Sequence, residues 1–176
     1  MWCTNLNTLL NMNAKQKVII PTDFTVASLN FVIEFLQKNT DKKNQIVFVH
    51  GYQTPESISE LLFFSKTKVL KNLETPAFND ALLIIKNRFA SSLDTVSFDL
   101  LTSNNKNYLN SYLQNQKADV VLQIQNYKPA FKHKNSFDLT NLYKLNTQNI
   151  YSIQNKIQFP LETQTEFTGD VFMSKA

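Results

Sequence analysis

The sequence predicts an α/β domain with a single open, mostly parallel sheet of five strands and helices on both faces. Three observations carry this. Strand-like apolar runs alternate with helix-period stretches from Lys17 to Gln154, and such alternation builds a parallel sheet covered on both sides. Gln45 to Val49 and Ala118 to Ile124 read as buried-type runs, as interior parallel strands do. The 176 residues suffice for one full-sized core and are too few for two domains of this type.

The first strand is Lys17-Val18-Ile19-Ile20, short, apolar and rich in β-branched residues. Pro21-Thr22-Asp23 ends it, because proline supplies no N–H for a ladder. From Phe24 the period changes. Leu29, Val32, Ile33 and Leu36 recur at i, i+3, i+4 and i+7, one face of a helix. Asp23 and Thr25 are both N-cap candidates. A strand end that feeds a helix N-terminus is where open α/β folds bind ligands.

A polar turn, Asn39 to Asn44, leads to the second strand, Gln45 to Val49, with Gly51 as a turn residue after it. Ser57-Ile58-Ser59-Glu60 has the form of a capping box. It predicts one helix through Leu61, Leu62 and Phe63 towards Leu70. Thr75-Pro76 reads as N-cap and first position of the next helix, with Phe78, Leu82, Ile85 and Phe89 as its stripe. The third strand, Thr95 to Leu100, alternates Val96, Phe98 and Leu100 with polar residues, the pattern of an edge. A helix at Lys106 to Gln116 carries Tyr108, Leu109, Tyr112 and Leu113 on one side, and the fourth strand, Ala118 to Ile124, follows. A short helical stretch near Leu139 to Leu145 and a fifth strand at Asn149 to Gln154 close the domain. Residues 1–16 read as an N-terminal arm, residues 17–154 as the domain and residues 155–176 as a polar tail. Met12 is an alternative start to Met1, since the patterned chain begins five residues after it.

Two of these stretches carry a resemblance. Val18-Ile19-Ile20-Pro21-Thr22-Asp23-Phe24-Thr25-Val26-Ala27-Ser28 resembles the opening strand and turn of the universal stress protein family. Ile46-Val47-Phe48-Val49-His50 resembles that family's second strand, which ends in His. The resemblance implies strand order 3-2-1-4-5 and homodimers built through the last strand. It also implies a stress-response or regulatory role.

The family's nucleotide-binding branch has Gly-x2-Gly-x9-Gly-Ser/Thr after the fourth strand, because glycine lets backbone N–H groups approach phosphate. The matching segment here, Ile124 to Lys134, contains no glycine. In an ungapped overlay the three glycine positions fall near Ile124, Tyr127 and Phe137. The chain therefore resembles the type that lacks the nucleotide motif, and the expectation is a non-catalytic module that binds no ATP. The alternative is an adenine-nucleotide-binding protein with slow ATP turnover, in which Asp23 lies beside the adenosine. Without the glycine loop, Asp23 is more simply a cap on helix N–H groups.

Other groups were weighed for chemistry. No Ser, Cys or carboxylate stands at a telling spacing from His50, so a locally hydrogen-bonded strand-end histidine is expected. Cys3, His50 and His133 have no recognised metal-ligand spacing. Tyr127 to Lys134 interleaves aromatics with bases. It makes Lys128, Lys132 and Lys134 candidates for an anion or an RNA strand, with rings available for stacking. The plainer expectation is a solvated loop.

Composition excludes several classes. Hydrophobic residues at 43% and aromatics at 12% argue a packed domain rather than disorder. Two glycines are few against a usual ~7%. Net charge is +4, carried by scattered lysines with Arg88 the one arginine, an excess too mild to predict a nucleic-acid partner. The single cysteine, Cys3, precludes an internal disulfide and points to the cytoplasm. No run approaches the ~18 apolar residues of a membrane span, and the N-terminus lacks the pattern of a secretory signal.

Overall fold

The computed structural model describes residues 15–139, 142 and 150–154. Five parallel strands form one sheet. They are β1 (Lys15–Pro21), β2 (Lys43–Tyr52), β3 (Leu93–Leu101), β4 (Val120–Gln125) and β6 (Ile150–Gln154), in the order β3-β2-β1-β4-β6. This is the expected order, with the last strand at one edge and β3 at the other. β1 is central, pairing Val18 with Ile46 on one side and with Val120 on the other.

The period-2 alternation of β1 divides the core. Val18 and Ile20 face one side, with helices α1 (Val26–Lys38) and α4 (Pro76–Arg88) packed over them. Ile19 faces the other, under α5 (Lys106–Gln116) through Leu109 and Leu113. Val18, Ile19 and Ile20 are fully buried, and each contributes roughly 1.5–3 kcal/mol by leaving water. On α4 the stripe is as the spacing predicts: Phe78, Leu82, Ile85 and the C-cap Phe89 are all buried. Thr75 caps that helix, accepting from Phe78 N at 3.2 Å, with Pro76 at its first position.

Three expectations need correction. The single helix from Ser57 towards Leu70 is two: α2 (Ile58–Leu62) and α3 (Lys66–Leu73). The capping box does not form, because the Ser57 hydroxyl pairs with Ser59 Oγ at 2.7 Å instead of a backbone N–H. The chain then tightens, Phe63 N and Phe64 N donating three residues back to Glu60 and Leu61, and Ser65 caps a new helix. Gly51 is not a turn residue, since β2 runs three residues past Val49. The strand continues because β1 stops at Pro21, opposite Val49, and leaves the edge of β2 beyond it open. A two-residue strand the sequence did not reveal, β5 (Ser136–Phe137), pairs antiparallel with Gly51 and Tyr52 there. Finally, the domain begins at Lys15, two residues earlier than expected. The helical stretch near Leu139 to Leu145 lies outside the described residues except at Leu139 and Leu142, whose backbones share a 2.8 Å hydrogen bond.

Candidate functional site

The site sits at the C-terminal ends of β1, β2 and β4, where the strand order reverses around β1. Crevices at such switch points are the usual ligand sites of open α/β sheets. Pro21 stops the ladder, and Thr22 N crosses to Val49 O at 2.9 Å. Phe24 then takes φ 59, a left-handed conformation that costs a bulky residue energy. Its surroundings hold it there. Its N–H donates to Thr22 Oγ1 at 3.1 Å, and its ring is buried against His50, Phe78 and Phe98. The sharp turn lets Thr25 cap α1, its hydroxyl oxygen accepting from Ser28 N at 3.3 Å.

Asp23 is therefore not the helix cap. It is 5% exposed and its carboxylate points across the turn. Oδ1 accepts from Thr25 N at 3.0 Å and from Thr25 Oγ1 at 2.7 Å. Oδ2 accepts from the Tyr127 hydroxyl at 2.6 Å and from Ala130 N at 2.8 Å. An ionised carboxylate offers about four acceptor sites, so this one is saturated. Thr25 Oγ1 and Tyr127 OH also lie 3.0 Å apart, but with both protons given to Asp23 neither is left for that contact. Burial, then the bond to Asp23, pushes the Tyr127 phenol far above its usual range. It stays protonated as a donor.

His50 is 1% exposed, at the end of the second strand's apolar run. Nδ1 lies 2.8 Å from Thr22 O and Nε2 lies 2.9 Å from Ser136 Oγ. A carbonyl can only accept, so Nδ1 carries the proton and Nε2 accepts from the serine hydroxyl. Burial holds the ring below its ordinary pKa, opposed by the Thr22 carbonyl and Asp23. Phe24 and Phe131 flank it at 5.4 and 5.7 Å between ring centroids. The expected local bonding is present, with a second partner that lies 86 residues away. The pair has the contacts of a serine–base dyad, but a ring this enclosed acts as a tie between β1, β2 and β5.

Residues 126–137 thus cross over the switch point and are fastened there three ways. Tyr127 and Ala130 hold Asp23, Ser136 holds His50, and β5 pairs with β2. Asn126, where the crossing starts, is again left-handed at φ 59, which asparagine tolerates. Gly51 is needed for the far end. A Cβ there would lie 2.5 Å from Phe137 O and 2.7 Å from the Phe137 ring. Beneath this segment a cavity of about 40 Å³ remains, lined by Pro21, Asp23, Gly51, Tyr127, Phe131 and Phe137 among others. At ~10–15 Å³ per water that is room for roughly three water molecules. A nucleoside is several times larger.

The lysines of the crossing segment stand apart from this network. Lys128, Lys132 and Lys134 are exposed and make no ion pair among the described residues. Nor do those residues include a group of three or more His, Cys, Asp or Glu side chains able to hold a metal. Cys3 lies outside them. The residues that close the site, Tyr127, Ala130, Phe131 and Ser136, escaped a reading by spacing. Their partners are 86 to 107 residues away, and the one local signal was the run of aromatics between bases.

No family model matches the sequence, and no curated protein is similar enough to count as a match. The likeness is one of structure. The hypothetical protein MJ0577 superposes at TM-score 0.51 and 17% identity, over 81% of this chain and 97% of that one. The universal stress protein UspA from Lactobacillus plantarum superposes at TM-score 0.50 and 13% identity, over 80% of this chain and 98% of that one. The fold is that of the universal stress proteins. The strand order around β1 and the Pro21–Ser28 turn are the parts of that fold which the sequence already signalled. No helix among the described residues is long and apolar enough to cross a membrane.

Proposed function

We propose that this chain is a non-catalytic stress-response or regulatory module on the universal-stress-protein fold. It acts through homodimerisation and protein partners and binds no ATP. One observation carries the reading: the Asp23 carboxylate, at the position where a switch-point ligand would meet it, is filled by donors from the chain's own loop. Two further facts agree. The remaining cavity is too small for a nucleoside, and Ile124, Tyr127 and Phe137 carry side chains where phosphate-binding backbone needs glycine.

Self-association is assigned to β6. It is the last strand of the sheet, parallel to β4 and unpaired on its outer side among the described residues. An open edge of this kind invites a second strand. Native mass spectrometry of the purified protein tests both halves at once. The account expects a dimer mass without added nucleotide mass. A nucleotide-loaded species favours the ATP-binding alternative.

A second reading has one observation in its favour. Lys128, Lys132 and Lys134 are exposed and free of ion pairs among the described residues, so an anion or an RNA strand is attracted to the outer face of the loop.

A further inference from the structure

Helix α2 adds nothing to the core. None of its residues is buried, and Ser57 gives it no side-chain cap. Ile58, Leu61, Leu62 and the following Phe63 are 79, 50, 78 and 84% exposed. So short a helix is marginal in water by itself, and a contiguous apolar patch on a globular protein marks an interaction surface. We propose that this ridge is a self-association face, on which a second copy of the chain seats its own α2 ridge. The inference concerns a different surface from β6 and stands or falls independently of it.

The surrounding charges select the occupant. Residues 56–74 carry Glu56, Glu60 and Glu74 against Lys66, Lys68 and Lys71, an even balance in a chain whose net charge is +4. Glu60 lies on the ridge helix itself, and Glu56 just before it. An anionic lipid surface or a nucleic acid brought to the ridge meets those carboxylates first. A second copy related by a two-fold axis does not. In such a contact residue i faces j while j faces i, so acids of α2 meet bases of α3 twice over. Lys66 is engaged with Asp99 of β3 at 3.5 Å, which leaves Lys68 and Lys71 for this role. Both are exposed and without an ion pair among the described residues. The Lys66–Asp99 pair also places α3 beside β3, at the sheet edge opposite β6. Both faces are therefore open together, and the assembly extends past a dimer.

Sedimentation velocity on the full chain, from low to high micromolar concentration, tests this. The wild type is expected to form species larger than a dimer. Phe63→Asp with Leu62→Ser changes only exposed side chains, so folding, checked by circular dichroism, is retained. Association at this face should weaken at least tenfold. Glu60→Lys should weaken it as well, and an equimolar mixture with Lys68→Glu should restore it, since the two variants complement each other across the two-fold. Ile150→Lys, which charges the β6 edge, should leave the ridge-dependent step intact. Association that is indifferent to Phe63→Asp overturns the proposal. So does a ridge that binds phosphatidylserine vesicles in a Phe63-dependent way without self-associating, or a mixture that fails to recover.

Discussion

The Tyr127 hydroxyl donates a 2.6 Å hydrogen bond to the Asp23 carboxylate across 104 residues of chain. Both groups are held in place by other contacts. Asp23 is gripped by Thr25 and Ala130, and the Tyr127 ring sits edge-on to Phe31 at 5.1 Å. The bond therefore links the helix-entry turn to the segment that crosses it, and closes the switch point from within.

Tyr127→Phe keeps the ring packing and removes only the donor. A hydrogen bond to a charged group contributes about 1.5–3 kcal/mol, so chemical denaturation should report a loss of that order. Hydrogen exchange should rise at residues 126–137 and not in α5. An unchanged denaturation midpoint would show that the bond is not maintained in solution.

Gly51→Ala tests the far end of the same segment. The new methyl group would press on the Phe137 carbonyl and ring, and overpacking of this kind costs about 1–3 kcal/mol. Because backbone is in the way, β5 should detach from β2. Limited proteolysis near Ser136 is the readout, with faster cleavage expected in the variant.

His50 makes stability depend on pH, and the sign follows from its burial. Its folded pKa lies below the ordinary 6.5, so the fold favours the neutral ring. Above pH 6.5 neither state binds the proton and stability is at its full value. Below it the unfolded chain takes up a proton that the native state resists, so stability falls as pH falls towards the folded value. Asp23 and His133 are the charged groups acting on this ring. Denaturation midpoints taken between pH 7.5 and 5 should drop for the wild type and drop less for His50→Asn. Parallel slopes would remove His50 from the account.

Much of this fold was legible in the sequence, and for clear reasons. Val18 to Ile20 is β-branched and followed by proline, so strand and stop are both local signals. Phe78, Leu82, Ile85 and Phe89 repeat at helical spacing because a single stripe faces the core. The Ser57 region misled because a capping box is a pattern, whereas the Ser57 hydroxyl found Ser59 as a nearer partner. The closure of the site was not legible. Nothing near Asp23 indicates that Tyr127 reaches it, and nothing near His50 indicates Ser136. Those contacts exist only once β4 lies beside β1 and the chain has crossed the sheet end. β5 is of the same kind, two residues with no periodicity to read, ordered by the edge of β2 that Pro21 leaves open.

Charging the β6 edge tests self-association. Ile150 is 36% exposed at the start of that strand, so Ile150→Lys should be tolerated by the fold and should deter edge pairing. Light scattering at high micromolar concentration should show the β6 dimer lost in the variant. A wild-type protein that is monomeric under those conditions contradicts the β6 assignment.

The central claim is that the switch point is closed by the chain itself and takes no nucleotide. Losing two charge-assisted phosphate contacts at ~1.5–3 kcal/mol each weakens binding by roughly two to four powers of ten, and exposed lysines recover little of that. Isothermal titration of the purified protein with magnesium and ATP measures it directly. The account predicts no binding heat at physiological ATP concentration. A dissociation constant in the low micromolar range that is lost in Asp23→Ala would contradict it.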